Sequence, residues 1–283
     1  MGQSILAVGA AGNFAGLVVR ALAERGAKVR GLIHSPEHAV SARRNGATEI
    51  AVGDLRDPRS IAVALTGIDY VFYIAPAFMA DEAEVGVSLV SASQRAGVRR
   101  FVFSSVIHPV LSILVNHAAK PPVEQAVLLS GMEYTFLHPA VFYQNFEFGW
   151  HRTSQTGVIS QPWSIDTRFT RVDFRDVAEC AAIALTDDRL LYGTFELCAD
   201  GRLCLTEVAD LISTVLNRPM AAKRVDPRSL EGLPHGMLTM FGHYDHHGIS
   251  GNSLILRAIL ERPPRTLRAY FEELRDRECS PST

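Results

Sequence analysis

Short apolar runs alternate with helical patterns along the first half of the chain. The runs "SILAVGA", "KVRGLIH", "YVFYIAP" and "RRFVFSS" are apolar nearly throughout, and segments such as "FAGLVVRALAERG" and "VGVSLVSASQRAG" stand between them. Strands that are apolar on both faces and are separated by amphipathic helices indicate a parallel sheet with helices on both sides. The pattern therefore predicts an α/β fold built on a doubly wound parallel sheet.

The alternation of strands and helices changes after about residue 150. Gly, Pro and Trp residues interrupt "WHRTSQTGVISQPWS", and the last part of the chain has mostly helical spacing. We therefore predict one domain over residues 1–150 and a smaller, mainly helical lobe over residues 151–283. Residues 173–200 contain the helical "DFRDVAECAAIAL" and the strand-like "GTFELCA", so we expect them to return to the sheet.

Composition argues against several classes of protein. The chain has 283 residues, 47% of them hydrophobic, and its formal net charge of -2 offers no broad basic surface for nucleic acid or anionic lipid. No segment approaches membrane-spanning length, and the first apolar run breaks at glycines as a buried strand does, so we expect a cytoplasmic protein. Cys180, Cys198, Cys204 and Cys279 form no CxxC pair, which favours buried or incidental thiols over a disulfide framework.

The turn after the first strand carries the strongest single motif. In "AVGAAGNFAG", Gly9 and Gly12 stand between a strand and an amphipathic helix, and the small Ala15 and Gly16 follow. Glycines there let the backbone approach a pyrophosphate, while the helix N-terminus presents free N–H groups and a positive dipole. Because the turn opens a complete βαβ unit, we predict dinucleotide binding rather than a purely structural turn.

The end of the second strand indicates which coenzyme binds. "VRGLIHSPEH" has no Asp or Glu at the strand end itself, where a carboxylate would bind the adenosine ribose diol, so NADP(H) is favoured over NAD(H). His34 and Ser35 occupy the strand end. Arg43 and Arg44 on the next helix either face a 2′-phosphate or form an ordinary solvated surface. Asp54 in "GDLRDP" either accepts a hydrogen bond from the adenine amino group or caps the following helix.

Segments along nearly the whole chain match the sequence pattern of a known protein family. They are "GAAGNFAG", "GDLRDP", "FVFSS", "NHAAKPPVEQAVLLSGMEYTFLHPAVFYQN", "VDFRDVAE" and the closing "YDHHGISGN" and "ERPPRTLRAYFEE". Together they resemble the NmrA-like family of the atypical short-chain dehydrogenase/reductase superfamily. The resemblance implies a Rossmann domain with a small C-terminal lobe, and NADP(H) as the usual ligand. Family members include both reductases and cofactor-sensing proteins without turnover, so both functions stay open at this point.

Two positions depart from the pattern of related proteins. Many family members carry an arginine where this chain has His34. In the related catalytic families a tyrosine stands four residues before the active lysine, and this chain has Asn116 in that position before Lys120. Asparagine has no phenolic proton to give, so the usual Tyr–Lys catalysis is excluded. A quinone or activated alkene can take its proton from water, so a reductase without this tyrosine is chemically reasonable.

Candidate catalytic residues lie in and around "NHAAK" and "RRFVFSS". Ser104 and Ser105 end a strand and Lys120 begins a helix, so we expect them to converge on the nicotinamide ribose. There the lysine either orients the cofactor or donates a proton, and an exposed lysine in a first helical turn is the alternative. The catalytic candidates are Lys120, Ser105, Tyr143 and His117, with His108 as a further proton donor. For the histidines and the tyrosine, a packing or loop role is the alternative.

The predicted cofactor contacts lie mostly at or just after strand ends, where doubly wound sheets gather their ligands. They are Gly9, Ala11, Gly12, Asn13, Phe14, His34, Ser35, Asp54, Leu55, Ala75, Pro76, Ser104, Lys120 and Pro139. We assign Gly9, Gly12 and Asn13 to the pyrophosphate, and Ser104 and Lys120 to the nicotinamide end.

The C-terminal motif "HYDHHG" raises the question of a metal site. His243, His246 and His247 around Asp245 supply imidazole and carboxylate groups. Zinc ligands are usually better separated along the chain and supported by further residues, which are not identifiable here. We therefore predict no metal, and we assign the motif to pocket lining or helix capping.

Aromatic and thioether side chains are the candidates for contact with a substrate. They are Phe78, Met79, Tyr143, Phe146, Trp150, Trp163, Met237, Met240 and Tyr244. Apolar walls with few charges suit a hydrophobic or aromatic molecule. Each of these residues taken singly is also a good core residue, which is the alternative.

These observations favour an NADP(H)-dependent reductase that transfers hydride to a hydrophobic carbonyl, quinone or conjugated alkene. The alternative is a redox sensor that binds the cofactor and acts through a protein partner without chemistry. An isomerase or lyase that uses the nucleotide transiently is a third class. The expected partners are a nicotinamide dinucleotide and a hydrophobic small molecule, without nucleic acid or membrane, and a homodimer is left open.

Overall fold

The computed structural model describes residues 3–76 and 78–279. Its strands are β1 (Ser4–Val8), β2 (Lys28–Ile33), β3 (Glu49–Val52), β4 (Tyr70–Ile74), β5 (Arg100–Ser104), β6 (Glu133–Pro139), β7 (Val141–Phe142), β8 (Val158–Gln161), β9 (Phe169–Val172), β10 (Gly193–Leu197), β11 (Arg202–Leu203) and β12 (Ala221–Arg224). Its α-helices are α1 (Ala15–Glu24), α2 (Ala39–Arg44), α3 (Pro58–Ala64), α4 (Glu82–Arg95), α5 (Val115–Ala118), α6 (Lys120–Leu129), α7 (Trp150–Thr156), α8 (Phe174–Thr186), α9 (Leu205–Leu216), α10 (His235–Tyr244), α11 (Leu254–Leu260) and α12 (Leu267–Cys279). Short 3₁₀-helices cover Pro36–His38, Tyr143–Gly149 and Pro227–Ser229.

The first six strands belong to one sheet and confirm the predicted doubly wound α/β fold. The sheet has seven strands in the order β10-β6-β5-β4-β1-β2-β3. Neighbouring strands from β3 to β6 are parallel, so that Ile5 of β1 is level with Val29 of β2 and with Tyr70 of β4. The strand order changes direction between β1 and β4. Sheets of this kind bind ligands at that point, beyond the carboxyl ends of the strands.

Both faces of the central strands are buried, as their uninterrupted apolar runs predict. All residues of β5 are buried, and Phe101 and Phe103 within it have no exposed surface. Tyr73 of β4 stacks on Phe103 with the ring centroids 5.4 Å apart. On α1, Val18 and Leu22 are fully buried. Close packing of this kind leaves the strand ends little freedom, so residues that follow them are held on a rigid support.

The chain separates into two compact units. The first consists of Met1–Ser112, Asn116–His138 and Val177–Phe195, and the second of Ile113–Val115, Pro139–Asp176 and Glu196–Thr283. Residues 139–150, predicted within the first domain, therefore belong to the second unit. Residues 177–195, within the stretch predicted to return to the sheet, belong to the first unit.

The second unit contains two small sheets that the sequence pattern did not reveal. β7 pairs in parallel with β9, β9 pairs antiparallel with β11, and β8 pairs in parallel with β12. Its core is aromatic and includes Tyr143, Phe146, Trp150, Tyr270 and Phe271. Strands of two residues, such as β7 and β11, are too short to leave an alternating pattern in the sequence.

Two buried aspartates of the "VDFRDVAE" segment anchor arginines of the second unit. Asp173 accepts hydrogen bonds from the guanidinium of Arg175, the shortest of them 2.5 Å long. Asp176 accepts from the backbone N–H of Arg265 at 2.7 Å and from the guanidinium of Arg262 at 2.8 Å. Although burial opposes ionisation, the hydrogen bonds from Arg175 hold the pKa of Asp173 below its usual range. Both carboxylates have no exposed surface and so depend on these partners.

Three of the four cysteines are buried free thiols, as the lack of a CxxC pair predicts. They are Cys180, Cys198 and Cys204, and burial raises the pKa of the Cys198 thiol to about 12. The side chain of Cys279 lies outside the described part of the chain. None of the helices within residues 3–76 and 78–279 has both the length and the apolar character needed to cross a bilayer.

Candidate functional site

The turn between β1 and α1 lies where the strand order changes direction. Gly9 has a φ of +72°, in the left-handed region that favours glycine, and its N–H donates to the carbonyl of Leu32 at 3.0 Å. A Cβ on Gly12 would lie only 3.2 Å from the carbonyl oxygen of Gly9. No acidic residue stands in the first turn of α1, so its positive dipole end is uncompensated. The other cofactor contacts predicted in this segment lie in the same turn: Ala11, Asn13 and Phe14.

Residues outside the glycine motif hold this turn in place. The amide of Asn45 donates to the carbonyl of Ala10 at 3.1 Å, and the hydroxyl of Ser41 donates to the carbonyl of Ala11 at 3.4 Å. A Cβ on Gly31 of β2 would lie 2.7 Å from the Cβ of Ala10, so only glycine allows this close approach. The sequence interpretation missed all three bracing residues. A glycine inside an apolar strand was the available signal, since it often marks a close backbone approach.

The residues after β2 lie at the same sheet edge as the glycine turn, because β1 and β2 are parallel neighbours. His34 is exposed, and the hydroxyl of Ser35 lies 3.3 Å from the Nδ1 atom of His38. Arg43 and Arg44 are exposed at the end of α2. The strand end therefore offers hydroxyl, imidazole and guanidinium groups, and the carboxylate of Glu37, two residues after Ser35, shares a hydrogen bond with that serine.

Two aspartates follow β3, and only one of them caps the next helix. Asp57 caps α3 by accepting hydrogen bonds from the backbone N–H groups of Arg59 at 3.0 Å and Ser60 at 3.2 Å. Asp54 instead accepts from the backbone N–H of Arg56 at 2.9 Å. The capping role considered for Asp54 is therefore performed by Asp57, and contact between Asp54 and adenine stays a prediction.

Lys120 and Glu82 form a buried ion pair in the first unit. Lys120 is the first residue of α6, as predicted, and Glu82 is the first residue of α4. Only 8% of Lys120 and 3% of Glu82 is exposed, and the ammonium donates directly to the Oε1 atom of the carboxylate. The alternative of an exposed lysine in a first helical turn is therefore wrong. Glu82 could not be identified as the partner from the sequence, because it lies 38 positions before Lys120.

Glu124 joins Ser105 and His138 in a second polar cluster of the first unit. It follows Lys120 by four positions on α6, so both side chains lie on the same side of the helix. The Oε1 atom of Glu124 accepts from the hydroxyl of Ser105 at 2.5 Å and lies 2.9 Å from the Nε2 atom of His138. The N–H of Ser105 donates to the carbonyl of Leu137 at 2.9 Å, which keeps this residue in the sheet ladder. The four-residue spacing from Lys120 was the one sequence signal for Glu124.

Three buried polar atoms of the first unit have no hydrogen-bond partner among the described residues. They are the Oγ atom of Ser104, the hydroxyl of Tyr73 and the Oδ1 atom of Asn116. Ser104 is the last residue of β5, and Tyr73 is the penultimate residue of β4. Buried polar groups nearly always have a partner in folded proteins. Groups without one near the carboxyl ends of β4 and β5 are therefore compatible with a polar ligand such as a nicotinamide dinucleotide.

The two serines of "FVFSS" do not share an environment. Successive side chains of an extended strand point to opposite faces of the sheet, and Ser105 faces Glu124 of α6. Ser104 therefore points to the other face. The remaining predicted cofactor contacts also follow strand ends: Leu55 after β3, Ala75 and Pro76 after β4, and Pro139 at the end of β6.

His117 and Tyr143 both donate their hydrogen to a backbone carbonyl. His117 is buried, and its Nδ1 atom donates to the carbonyl of His108 at 3.0 Å. Tyr143 lies in the core of the second unit, where its hydroxyl donates to the carbonyl of Arg265 at 3.3 Å and its ring centroid is 5.6 Å from that of Tyr270. Burial raises the pKa of Tyr143 above its usual range. These contacts are compatible with the packing roles that the sequence left open.

The predicted substrate residues fall into different environments. Phe146 and Trp150 line a cavity of about 270 Å³ within the second unit, and Trp150 stacks on Phe271 with the centroids 5.6 Å apart. Trp163 and Tyr244 pack against each other with centroids 5.4 Å apart. The half-buried members of the set are Phe78, Met79, Trp163, Met237 and Met240.

The "HYDHHG" motif does not gather its charged side chains around one point. Asp245 accepts two hydrogen bonds from the guanidinium of Arg224, at 2.6 and 2.9 Å. The rings of His243 and His247 lie 4.9 Å apart, and burial followed by the charge of His247 lowers the pKa of His243. Within residues 3–76 and 78–279, no three His, Cys, Asp or Glu side chains are arranged to hold a metal ion.

Comparison with known proteins identifies relatives along most of the chain. A model of the NmrA-like family matches residues 1–252. The NAD(P)H azoreductase of Xenophilus azovorans is 30% identical over an alignment of 225 residues that covers 76% of this chain and 75% of the azoreductase.

Two solved structures share the fold. The triphenylmethane reductase of Citrobacter sp., complexed with NADP(H), has a TM-score of 0.84 at 20% identity and covers 96% of this chain and 99% of its own. NmrA, a negative transcriptional regulator in complex with NAD, has a TM-score of 0.79 at 19% identity and covers 98% of this chain and 96% of its own. At these identities the structural likeness establishes the fold alone.

Proposed function

The chain belongs to the NmrA-like family, and on this basis we propose that it is an NADP(H)-dependent reductase of a hydrophobic carbonyl, quinone or conjugated alkene. One observation carries the proposal. The carboxyl edge of the sheet combines a glycine turn fit for a pyrophosphate with a buried lysine and a partly buried serine–glutamate pair. These residues all belong to the first unit.

The N–H groups of Gly9 and Gly12 already donate to the carbonyls of Leu32 and Gly9. In the proposed complex these glycines therefore let the backbone approach the pyrophosphate, and the N–H groups of Ala11 and Asn13 bind it beside the N-terminus of α1. Lys120 orients the nicotinamide ribose, because its ammonium donates hydrogen bonds to hydroxyl oxygens. The reduced cofactor supplies the hydride. Glu82 holds the ammonium in the absence of ligand, so Lys120 is available at a defined position.

The preference for NADP(H) is part of the proposal. The end of β2 offers His34 and Ser35 where a carboxylate would bind the ribose diol and repel a 2′-phosphate. Arg43 and Arg44 on α2 contribute positive charge nearby in sequence. Each group can donate a hydrogen bond to phosphate oxygens, the imidazole most strongly when it is protonated.

The proton of the reduced product comes from water or from Lys120 in this proposal. Asn116 replaces the usual tyrosine and has no proton to give. Tyr143 and His117 act as packing residues, since each already donates to a backbone carbonyl. Acceptors such as quinones tolerate water as the proton source, which favours an electron-poor conjugated substrate over a simple ketone.

The names of the relatives support an aromatic, conjugated acceptor. One is an azoreductase and another a triphenylmethane reductase, so the substrates in their names carry extended π-systems. Hydride addition to a neutral azo compound leaves a negative charge that the π-system delocalises, and hydride addition to a triarylmethane cation neutralises its positive charge. We therefore place azo compounds and triarylmethane cations beside quinones and enones in the substrate class.

A redox sensor without turnover is the second candidate. It is favoured by the replacement of the catalytic tyrosine by Asn116 and by the likeness to NmrA, a transcriptional regulator. A sensor must bind oxidised and reduced cofactor with clearly different affinities, because binding is its only means of reporting redox state. A reductase has no such requirement.

The test is the loss of reduced-nicotinamide absorbance with NADPH and with NADH against a panel of quinones, enones, azo dyes and aryl ketones. We expect multiple turnovers with NADPH and a conjugated acceptor. The variant Gly12→Val is the negative control, because its side chain would press on the carbonyl of Gly9. Tight NADPH binding without oxidation across the panel would replace the reductase with the sensor.

A further inference from the structure

The hydroxyl of Ser105 has its single hydrogen directed at Glu124. The distance of 2.5 Å between the two oxygens is typical of a hydroxyl donating to an ionised carboxylate. A carboxylate only accepts hydrogen bonds, so Ser105 must be the donor. Only 7% of Ser105 and 16% of the Glu124 side chain is exposed, which limits competition from water.

His138 fixes the carboxylate in this orientation. Its Nε2 atom lies 2.9 Å from the same Oε1 atom that Ser105 contacts, and it must carry a hydrogen for the same reason. Glu124 stands on α6, and Ser105 and His138 stand at the ends of the neighbouring strands β5 and β6. One oxygen thus receives two donors from two adjacent strands.

A serine in this state can only accept a hydrogen bond from a ligand. No group within residues 3–76 and 78–279 donates to its oxygen, while Glu124 holds its hydrogen. The serine therefore favours ligand groups that donate a hydrogen bond over groups that only accept one. Ribose hydroxyls both donate and accept, and the Lys120 ammonium satisfies them as acceptors. On the nicotinamide ring, the carboxamide NH₂ is the one group that donates hydrogen bonds and accepts none.

We propose that Ser105 accepts a hydrogen bond from the nicotinamide carboxamide NH₂, with Glu124 and His138 as positioning residues. This inference rests on the proposed function, since it concerns the same cofactor. It makes Ser105 a cofactor-orienting acceptor instead of a proton donor to the substrate. The pair also explains why Ser105, and not the neighbouring Ser104, performs this role: Ser104 has no carboxylate to hold its hydrogen.

The experiment compares equilibrium binding of NADP⁺ and its 3-acetylpyridine analogue, in which a methyl group replaces the NH₂. Binding is followed by calorimetry, so no turnover is needed. The wild-type protein should bind NADP⁺ about 3- to 10-fold more tightly than the analogue, the range expected for one hydrogen bond. In Ser105→Ala this ratio should fall to about one, through weaker NADP⁺ binding with the analogue unchanged.

Glu124→Gln tests the positioning role at constant shape. A glutamine NH₂ can donate to Ser105 and leave the serine hydrogen free to point at the ligand. The NADP⁺ to analogue ratio should then fall, as in Ser105→Ala. The matched control is Ser130→Ala at the C-terminal end of α6, where the hydroxyl donates to the carbonyl of Val127 at 2.6 Å. This variant should keep the wild-type ratio.

The outcomes separate this inference from the function on which it rests. Loss of the ratio in both Ser105→Ala and Glu124→Gln, with Ser130→Ala unchanged, supports it. A wild-type protein that binds both ligands equally, or a Ser105→Ala variant that keeps the ratio, overturns it and leaves the reductase in place. A wild-type protein that binds neither ligand overturns both. Because each ratio is taken on one protein sample, a partly unfolded variant does not distort it.

Discussion

The ammonium of Lys120 and the carboxylate of Glu82 form a buried ion pair that joins the first residue of α6 to the first residue of α4. Both residues are more than nine-tenths buried within the first unit, so each is the main neutralising partner of the other. A buried pair of this kind is weak evidence for stability as such, but the loss of one member is costly. Single and double variants of this pair can therefore distinguish an effect on protein stability from an effect on cofactor binding.

Glu82→Leu should lower the free energy of unfolding by about 3 to 5 kcal/mol, because it leaves the ammonium of Lys120 buried without its anion. Urea denaturation measures the change. The double variant Glu82→Leu/Lys120→Met should recover most of the loss, since an apolar pair replaces the ionic one. Equal stability of wild type and Glu82→Leu would show that the ammonium leaves the pair in solution.

Lys120→Met should weaken NADPH binding about 10- to 100-fold, the effect of removing a hydrogen bond from a charged donor. Titration by nicotinamide fluorescence gives the dissociation constant. The Glu82→Leu/Lys120→Met double variant should bind as weakly as Lys120→Met while being better folded. If NADPH affinity and turnover both stay at wild-type values, Lys120 does not belong to the cofactor site.

Gly9 and Gly26 provide a matched pair of turn variants. Their φ values are +72° and +75°, and an added Cβ meets nothing closer than 3.8 Å at Gly9 and nothing within 4 Å at Gly26. Alanine at either position should therefore cost about 1 to 2 kcal/mol of unfolding free energy from backbone strain. Only Gly9→Ala should also weaken NADPH binding, by at least about tenfold. Similar binding by the two variants would remove the β1–α1 turn from the pyrophosphate site.

His34→Asp should shift the coenzyme preference toward NADH. A carboxylate at the end of β2 can bind a ribose diol and repels a 2′-phosphate. We expect the ratio of kcat/KM for NADPH to that for NADH to fall at least about tenfold. Val40→Asp is the control. Val40 is exposed on α2, so its replacement by Asp adds the same charge at a position away from the end of β2. An unchanged ratio in His34→Asp would place the 2′-position elsewhere.

Asp173→Asn should destabilise the protein by about 2 kcal/mol at neutral pH, through loss of the charged hydrogen bonds from Arg175. Because the pKa of Asp173 is lowered in the folded protein, its contribution is present above the unfolded value near 4. That contribution disappears as the pH falls through the folded pKa. The difference between wild type and variant in urea denaturation should therefore shrink at strongly acid pH. A difference that is independent of pH would contradict this account.

The sequence by itself determined the fold of the first unit and the place of its ligand edge. Apolar runs, amphipathic spacing and the glycines of the first turn are encoded in consecutive residues, so their physical consequences can be worked out locally. The same holds for the start of α6 at Lys120 and for the absence of a carboxylate directly after β2. These features predict where a dinucleotide would bind before any contact is known.

Only the tertiary structure decided how the polar residues of the site are paired. Glu82 meets Lys120 across 38 positions, and Ser105 meets Glu124 across 19 positions, each contact being made between different elements. Pairing between elements depends on strand order and helix packing, and it leaves no periodic trace in the chain. For the same reason, the sequence could not show that residues 139–150 belong to the second unit. Local patterns determine the helices and strands, whereas strand order and helix packing determine which buried polar side chains meet.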